Sequence, residues 1–114
     1  MPLITDSGRM VAEQIGWANT PLDQLRGLIG RDIGLGYALL LPHCPQVHTA
    51  LLAYPIDVAF CAGSGIAGYR LLSVQTLTPN QVSRFVRGTS LAVEMRAGSP
   101  LPSLEAGCIL RIVV

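Results

Sequence analysis

Short hydrophobic runs alternate with polar positions along most of this chain, and twelve glycines and eight prolines cut them into strand-sized pieces. Arg9 to Trp17 reads as a first strand, with Val11, Ile15 and Trp17 on one face and Glu13 as the exception. Tyr37 to Leu41 is continuously apolar, which predicts a strand buried on both sides. Ile56 to Cys61 follows, with Ile56, Val58 and Phe60 on one face and Asp57, Ala59 and Cys61 on the other. A turn over 62–65 leads into Ile66 to Leu77, which lacks clean alternation and suggests a bulge at Gly68. Ser90 to Arg96 alternates best. Leu91, Val93 and Met95 are expected to point inward, and Ser90, Ala92, Glu94 and Arg96 outward. Leu110, Ile112 and Val114 close the chain around Arg111.

One segment breaks the two-residue period. Thr20-Pro21 is a helix start, since the Thr hydroxyl accepts from a free backbone N–H and Pro suits the first helical position. Asp23 in the first turn complements the helix dipole. Leu22, Leu25, Leu28 and Ile29 continue at helical spacing, and Gly30 or Gly34 is the expected stop. The sum is a mainly β fold: a small single domain over residues 1–114, a jelly-roll-like sandwich or barrel of about five to seven strands. One short helix falls near residues 20–30.

Composition narrows the function classes. A chain of 114 residues with half its positions hydrophobic has enough apolar material for one core. Mean hydropathy is +0.47, yet no stretch approaches the roughly 18 apolar residues of a membrane span. The first nine residues carry Asp6 and lack the apolar centre of a signal peptide. A cytoplasmic location and no membrane partner are therefore expected. Eight arginines, without a single lysine, face seven acids and are scattered, which argues against nucleic acid. Cys44, Cys61 and Cys108 are an odd set without metal spacing and read as free thiols.

With only 13% of residues charged, the polar groups between Cys44 and Asp57 stand out. Cys44, His48 and Asp57 are the residue types of nucleophilic catalysis, where a thiolate needs a base or positive charge beside it. The alternative for Cys44 is a buried thiol, and for His48 a bond to a backbone carbonyl. His43, Cys44, His48 and Asp57 also include ligand types for zinc or iron, but their spacing matches no zinc pattern. No metal and no cofactor is expected. Asp57, at a strand start between core residues, must be hydrogen-bonded or paired. The candidates are backbone N–H groups of the 47–54 loop, Arg31 or Arg70, the sharper alternative being a general base. Gly63-Ser64-Gly65 lacks the lysine and helix of a phosphate loop.

Four motifs resemble a known family. Arg26-Gly27-Leu28-Ile29-Gly30-Arg31 is similar to its R-G-L-M-x-R segment. Pro42, Cys44 and Val47-His48-Thr49 resemble P-C-x-x-V-H-T. Pro55 to Phe60 resembles P-I-D-V-x-F, and Leu91 to Gly98 its V-L-E-L-x-A-G strand. The family is the one catalogued as domain of unknown function 192, and the resemblance runs from about Val11 to Val113. It implies a mainly β, jelly-roll-like or barrel-like domain and no particular activity. Leu52-Ala53 stands where the family often has Met and a basic residue, and Gly107-Cys108 where a Gly-Asp pair is common.

These readings converge on a non-enzymatic binding or accessory module. Cys44, His48, Thr49 and Asp57 would surround its site, with His48 and Thr49 as hydrogen-bonding groups and Asp57 orienting the loop. The ligand would be a small molecule or a protein partner. The rival is a small hydrolase or transferase with Cys44 or Asp57 as reactive group and His48 as base. A third reading, from the high apolar fraction, is a subunit of a homo-oligomer.

Overall fold

Three strands of this chain are buried on both faces, and the rest of the architecture follows from covering them. In the computed structural model, which describes residues 1–114, these are β4 (Tyr37–Pro42), β5 (Ile56–Ser64) and β7 (Leu91–Arg96). Ala38 to Leu41, Ile56 to Cys61 and Leu91 to Met95 are all buried. Such strands cannot alternate between core and water, which is why they read as nearly continuous apolar runs.

They form the centre of one eight-stranded sheet ordered β2-β1-β8-β6-β5-β7-β4-β3. The others are β1 (Leu3–Thr5), β2 (Met10–Ala12), β3 (Gln14–Trp17), β6 (Gly68–Leu77) and β8 (Ile109–Ile112). The protein is thus mainly β, with one strand more than the upper end of the expected range. The expected first strand is split at Glu13 into β2 and β3, and these stand at opposite ends of the order. The sheet must therefore bend round, since a single residue, Glu13, links its two end strands. No ladder joins β2 to β3, so the barrel is not closed and the arrangement is sandwich-like.

Bending gives the sheet an inside and an outside, each with its own core. Leu3, Val11, Leu40, Leu91, Val93, Met95 and Leu110 fill the inside, helped by Leu101 of a 3-10 turn (Leu101–Ser103). Leu39, Leu41, Val58, Phe60, Leu77 and Ala92 lie outside, covered by Leu28, Val47 and Leu52. Part of the cover, including Leu28, exists because β3 and β4 are parallel neighbours, and the segment between β4 and β5 supplies Val47 and Leu52. Parallel pairing demands a crossover, and residues 18–36 supply it.

The crossover carries the one α-helix, α1 (Pro21–Arg26). Thr20 Oγ1 accepts from the Asp23 N–H at 3.1 Å, as expected of a cap. The helix ends earlier than its apolar spacing implies. Gly27 turns the chain at φ 50°, ψ −124°, and its N–H closes on Asp23 O. Leu22 and Leu25 consequently stay exposed, whereas Leu28, past the turn, enters the core and Ile29 packs against it. The β5–β6 turn lies at 65–67 rather than 62–65. The bulge is also displaced from Gly68: Phe60 pairs with Ser73 and Cys61 with Leu71, which leaves Leu72 without an opposite number. No helix is long and apolar enough to cross a membrane.

Candidate functional site

The polar residues of the 42–57 segment are divided between the two sides of the sheet. His48 and Thr49 lie in the outer cover. The His48 Nε2 bonds Leu25 O at 2.9 Å, and its Nδ1 accepts from the Ala50 N–H at 3.2 Å. One neutral tautomer, protonated at Nε2, satisfies both contacts and leaves the ring no free nitrogen. Thr49 is fully buried. Its hydroxyl donates to Thr78 O at 2.6 Å and accepts from the Gln81 N–H at 2.7 Å, tying the two cover segments together.

Cys44 is half-buried, and its Sγ donates to Gln46 O at 3.3 Å. Burial, and then the nearby Glu94, push its pKa up, the opposite of what a nucleophilic thiol needs. The Cys61 thiol, deep in the inner core, is pushed up to about 12 by burial.

Asp57 faces the inside. It sits directly opposite Met95 on β7 and Thr76 on β6, which puts it on the same face as the inner core. Its carboxylate accepts from Thr76 Oγ1 at 2.7 Å, from Ser99 Oγ at 2.7 Å and from the Ser99 N–H at 3.2 Å. None of the expected partners is used, neither the 47–54 loop nor Arg31 nor Arg70. The reason is strand alternation: the loop covers one face of β5 and Asp57 points from the other. Asp57 thus anchors the 97–101 turn rather than orienting the loop. It joins neither Cys44 nor His48 by a hydrogen bond, and no cluster of three or more His, Cys, Asp or Glu stands in a metal-binding arrangement.

The outer face holds a group that strand periodicity assigned to solvent. Glu94 is 2% exposed, paired across the sheet with Leu39 on one side and Val58 on the other. Its Oε1 is buried without a hydrogen-bond partner. Desolvation pushes its pKa up to about 8, so the carboxyl keeps its proton at neutral pH. The signal was present in the sequence: one charged residue inside Leu91-Ala92-Val93-Glu94-Met95.

Beside Glu94, where the crossover meets the end of the 42–57 segment, the surface opens into a depression of about 330 Å³. Leu28, Arg31, Asp32, Ala53, Tyr54 and Arg96 line it. Its walls are tied to each other. Arg96 Cζ lies 4.3 Å from the centre of the Tyr54 ring, and Tyr54 OH donates to Arg31 O at 2.7 Å. Arg31 Nε donates to Gly27 O and Arg96 Nη1 to Ile33 O, each at 3.1 Å. Tyr54 and Ala53 belong to the segment singled out by sequence; Arg31, Asp32 and Arg96 come from elsewhere in the chain. A second hollow of about 260 Å³ lies between the 5–9 turn and residues 103–108, crossed by a 2.7 Å bond from Arg9 Nη2 to Ser103 Oγ.

No protein-family model and no curated protein matches this chain. Two solved structures are similar to it in fold. A protein of unknown function from Novosphingobium aromaticivorans DSM 12444 superposes with a TM-score of 0.79 at 18% identity, over 98% of this chain and 84% of its own. A "putative transcription regulator" from Sinorhizobium meliloti 1021 gives a TM-score of 0.75 at 21% identity, over 96% of this chain and 89% of its own. At such identities the likeness is one of fold alone.

Proposed function

We propose that this chain is a non-enzymatic binding module of the family its motifs resemble, domain of unknown function 192, and that its site is the depression at the end of the 42–57 segment. The observation that carries this reading is the chain of contacts along that depression. Arg96 stacks on Tyr54, Tyr54 is bonded to Arg31, and both arginines are held by backbone carbonyls. A concave surface whose polar walls are already fixed loses little side-chain entropy when a ligand enters. His48 and Thr49 support the site indirectly, by holding the cover segments against the sheet.

The hydrolase or transferase reading has less support. It needs Cys44 or Asp57 near a free base, whereas both His48 nitrogens are occupied and Asp57 faces the inner core.

A thermal-shift screen against common metabolites tests the proposal when wild type is compared with Ala53→Trp, which fills the depression. Ligands that stabilise wild type and not the variant support it. A hit unaffected by Ala53→Trp moves the site elsewhere, and a flat screen ends the small-molecule reading.

A further inference from the structure

We infer that the depression takes a compact organic carboxylate, held by the guanidinium groups of Arg31 and Arg96, with its apolar body against Leu28 and Ala53. The inference rests on the reading of the depression as a binding site and adds the chemistry of its ligand. Each guanidinium is fixed through one nitrogen, Arg31 by Nε and Arg96 by Nη1. This leaves Arg31 both terminal nitrogens, and Arg96 its Nη2 and Nε, for a ligand. Guanidinium forks match the planar geometry of a carboxylate and gain most when their orientation is already set.

The electrostatics point the same way. Arg31, Arg96 and Asp32 are the charged groups lining the depression, a balance of one positive charge. Glu94, packed beneath the crossover, does not cancel it, because its buried carboxyl stays protonated at neutral pH. A negatively charged ligand is therefore favoured, and the apolar wall of Leu28 and Ala53 suits an organic carboxylate better than inorganic phosphate.

Asp32 marks the place a ligand would take. Its side chain is fully exposed, and its Oδ1 stands 3.7 Å from Arg96 Nη1. That is longer than a hydrogen bond, and such surface pairs are weak. An incoming carboxylate with closer contact would displace it. The size is consistent: about 330 Å³ lies at the small end of ligand pockets, suited to a ring or short chain bearing one acid group.

Benzoate and its neutral counterpart benzamide, titrated into the full chain at low salt and followed by amide NMR, provide the test, with inorganic phosphate as a third arm. Benzoate is expected to shift amides at 30–32, 53–54 and 96, and to bind at least about tenfold more tightly than benzamide. Arg31→Gln should remove that preference, and Asp32→Asn should tighten benzoate binding by freeing Arg96. Asp32 is fully exposed and Arg31 only half-buried, and circular dichroism of both variants checks that they fold. Equal binding of benzoate and benzamide, or Asp32→Asn weakening benzoate, overturns the carboxylate clamp while the binding site survives. Phosphate binding more tightly than benzoate overturns the ligand class. Silence from all three probes at tens of millimolar overturns the inference; the metabolite screen with Ala53→Trp then decides the site itself.

Discussion

A β-carbon placed on Gly27 would stand 2.8 Å from Glu94 Oε1. The end of α1 and the buried carboxyl are thus in contact with no room for a side chain between them. The same Gly27 receives the Arg31 Nε bond on its carbonyl oxygen. One residue therefore couples the packing over Glu94 to the position of an arginine in the depression.

Gly27→Ala should destabilise the protein by about 1–3 kcal/mol, because residue 27 combines positive φ with this close approach. Urea unfolding measures it. An alanine variant as stable as wild type would mean that the crossover relaxes freely and that the contact with Glu94 does not constrain it.

Glu94 should make stability fall with rising pH. Its ordinary value of 4.5 is pushed to about 8 in the folded chain. Between those values the folded protein holds a proton that the unfolded chain has released. The stabilisation is full below the ordinary value and is lost as pH rises through the folded one, with a slope of up to about 1.4 kcal/mol per pH unit. Glu94→Gln keeps the shape without the titration, so its unfolding midpoint should change much less than that of wild type between pH 6 and pH 8. Parallel pH profiles for the two proteins would contradict the burial of an isolated acid.

The thiols should be slow. Burial raises Cys44, Cys61 and Cys108 alike, Cys61 furthest, and none has a positive neighbour to offset it. Iodoacetamide near neutral pH should modify folded Cys44 at least about tenfold more slowly than the urea-unfolded chain. Mass spectrometry of the alkylated peptides reads this directly, and rapid labelling confined to Cys44 would revive the nucleophile reading.

Asp57→Ala should cost at least about 3 kcal/mol, since three donors lose their common acceptor inside the sheet. Ligand affinity at the depression should be unchanged, because Asp57 serves the opposite face of β5. Chemical unfolding and a benzoate titration separate the two effects. A loss of affinity in a variant that remains folded would place Asp57 in the site after all.

The parts of the fold legible in the sequence are those with strong local patterns. Tyr37 to Leu41 and Ile56 to Cys61 are too apolar to be anything but buried strands, and Thr20-Pro21 fixes the start of the helix. Its end is not legible, because Leu28 keeps helical spacing across a glycine that the backbone uses to turn. Period-two alternation places Glu94 in solvent only if one face is wet, whereas β7 is covered on both. That cover comes from a crossover some sixty residues earlier in the chain. Asp57 carried the right signal, a buried acid needing partners, but Thr76 and Ser99 are 19 and 42 residues away. The depression was the least legible feature. Residues 28–32, 53–54 and 96 share no local pattern and meet only because β3 and β4 are parallel.

The joint at Glu13 bears on how copies of this protein coexist at high concentration. Open sheets usually offer two flanks to which a foreign strand can add, and natural proteins protect them with charge, bends or short strands. Here both flanks, β2 and β3, end at the same exposed acid and are only three and four residues long. Both flanks are thereby short and interrupted at a charged residue, two of the devices by which open sheets discourage pairing with a foreign strand.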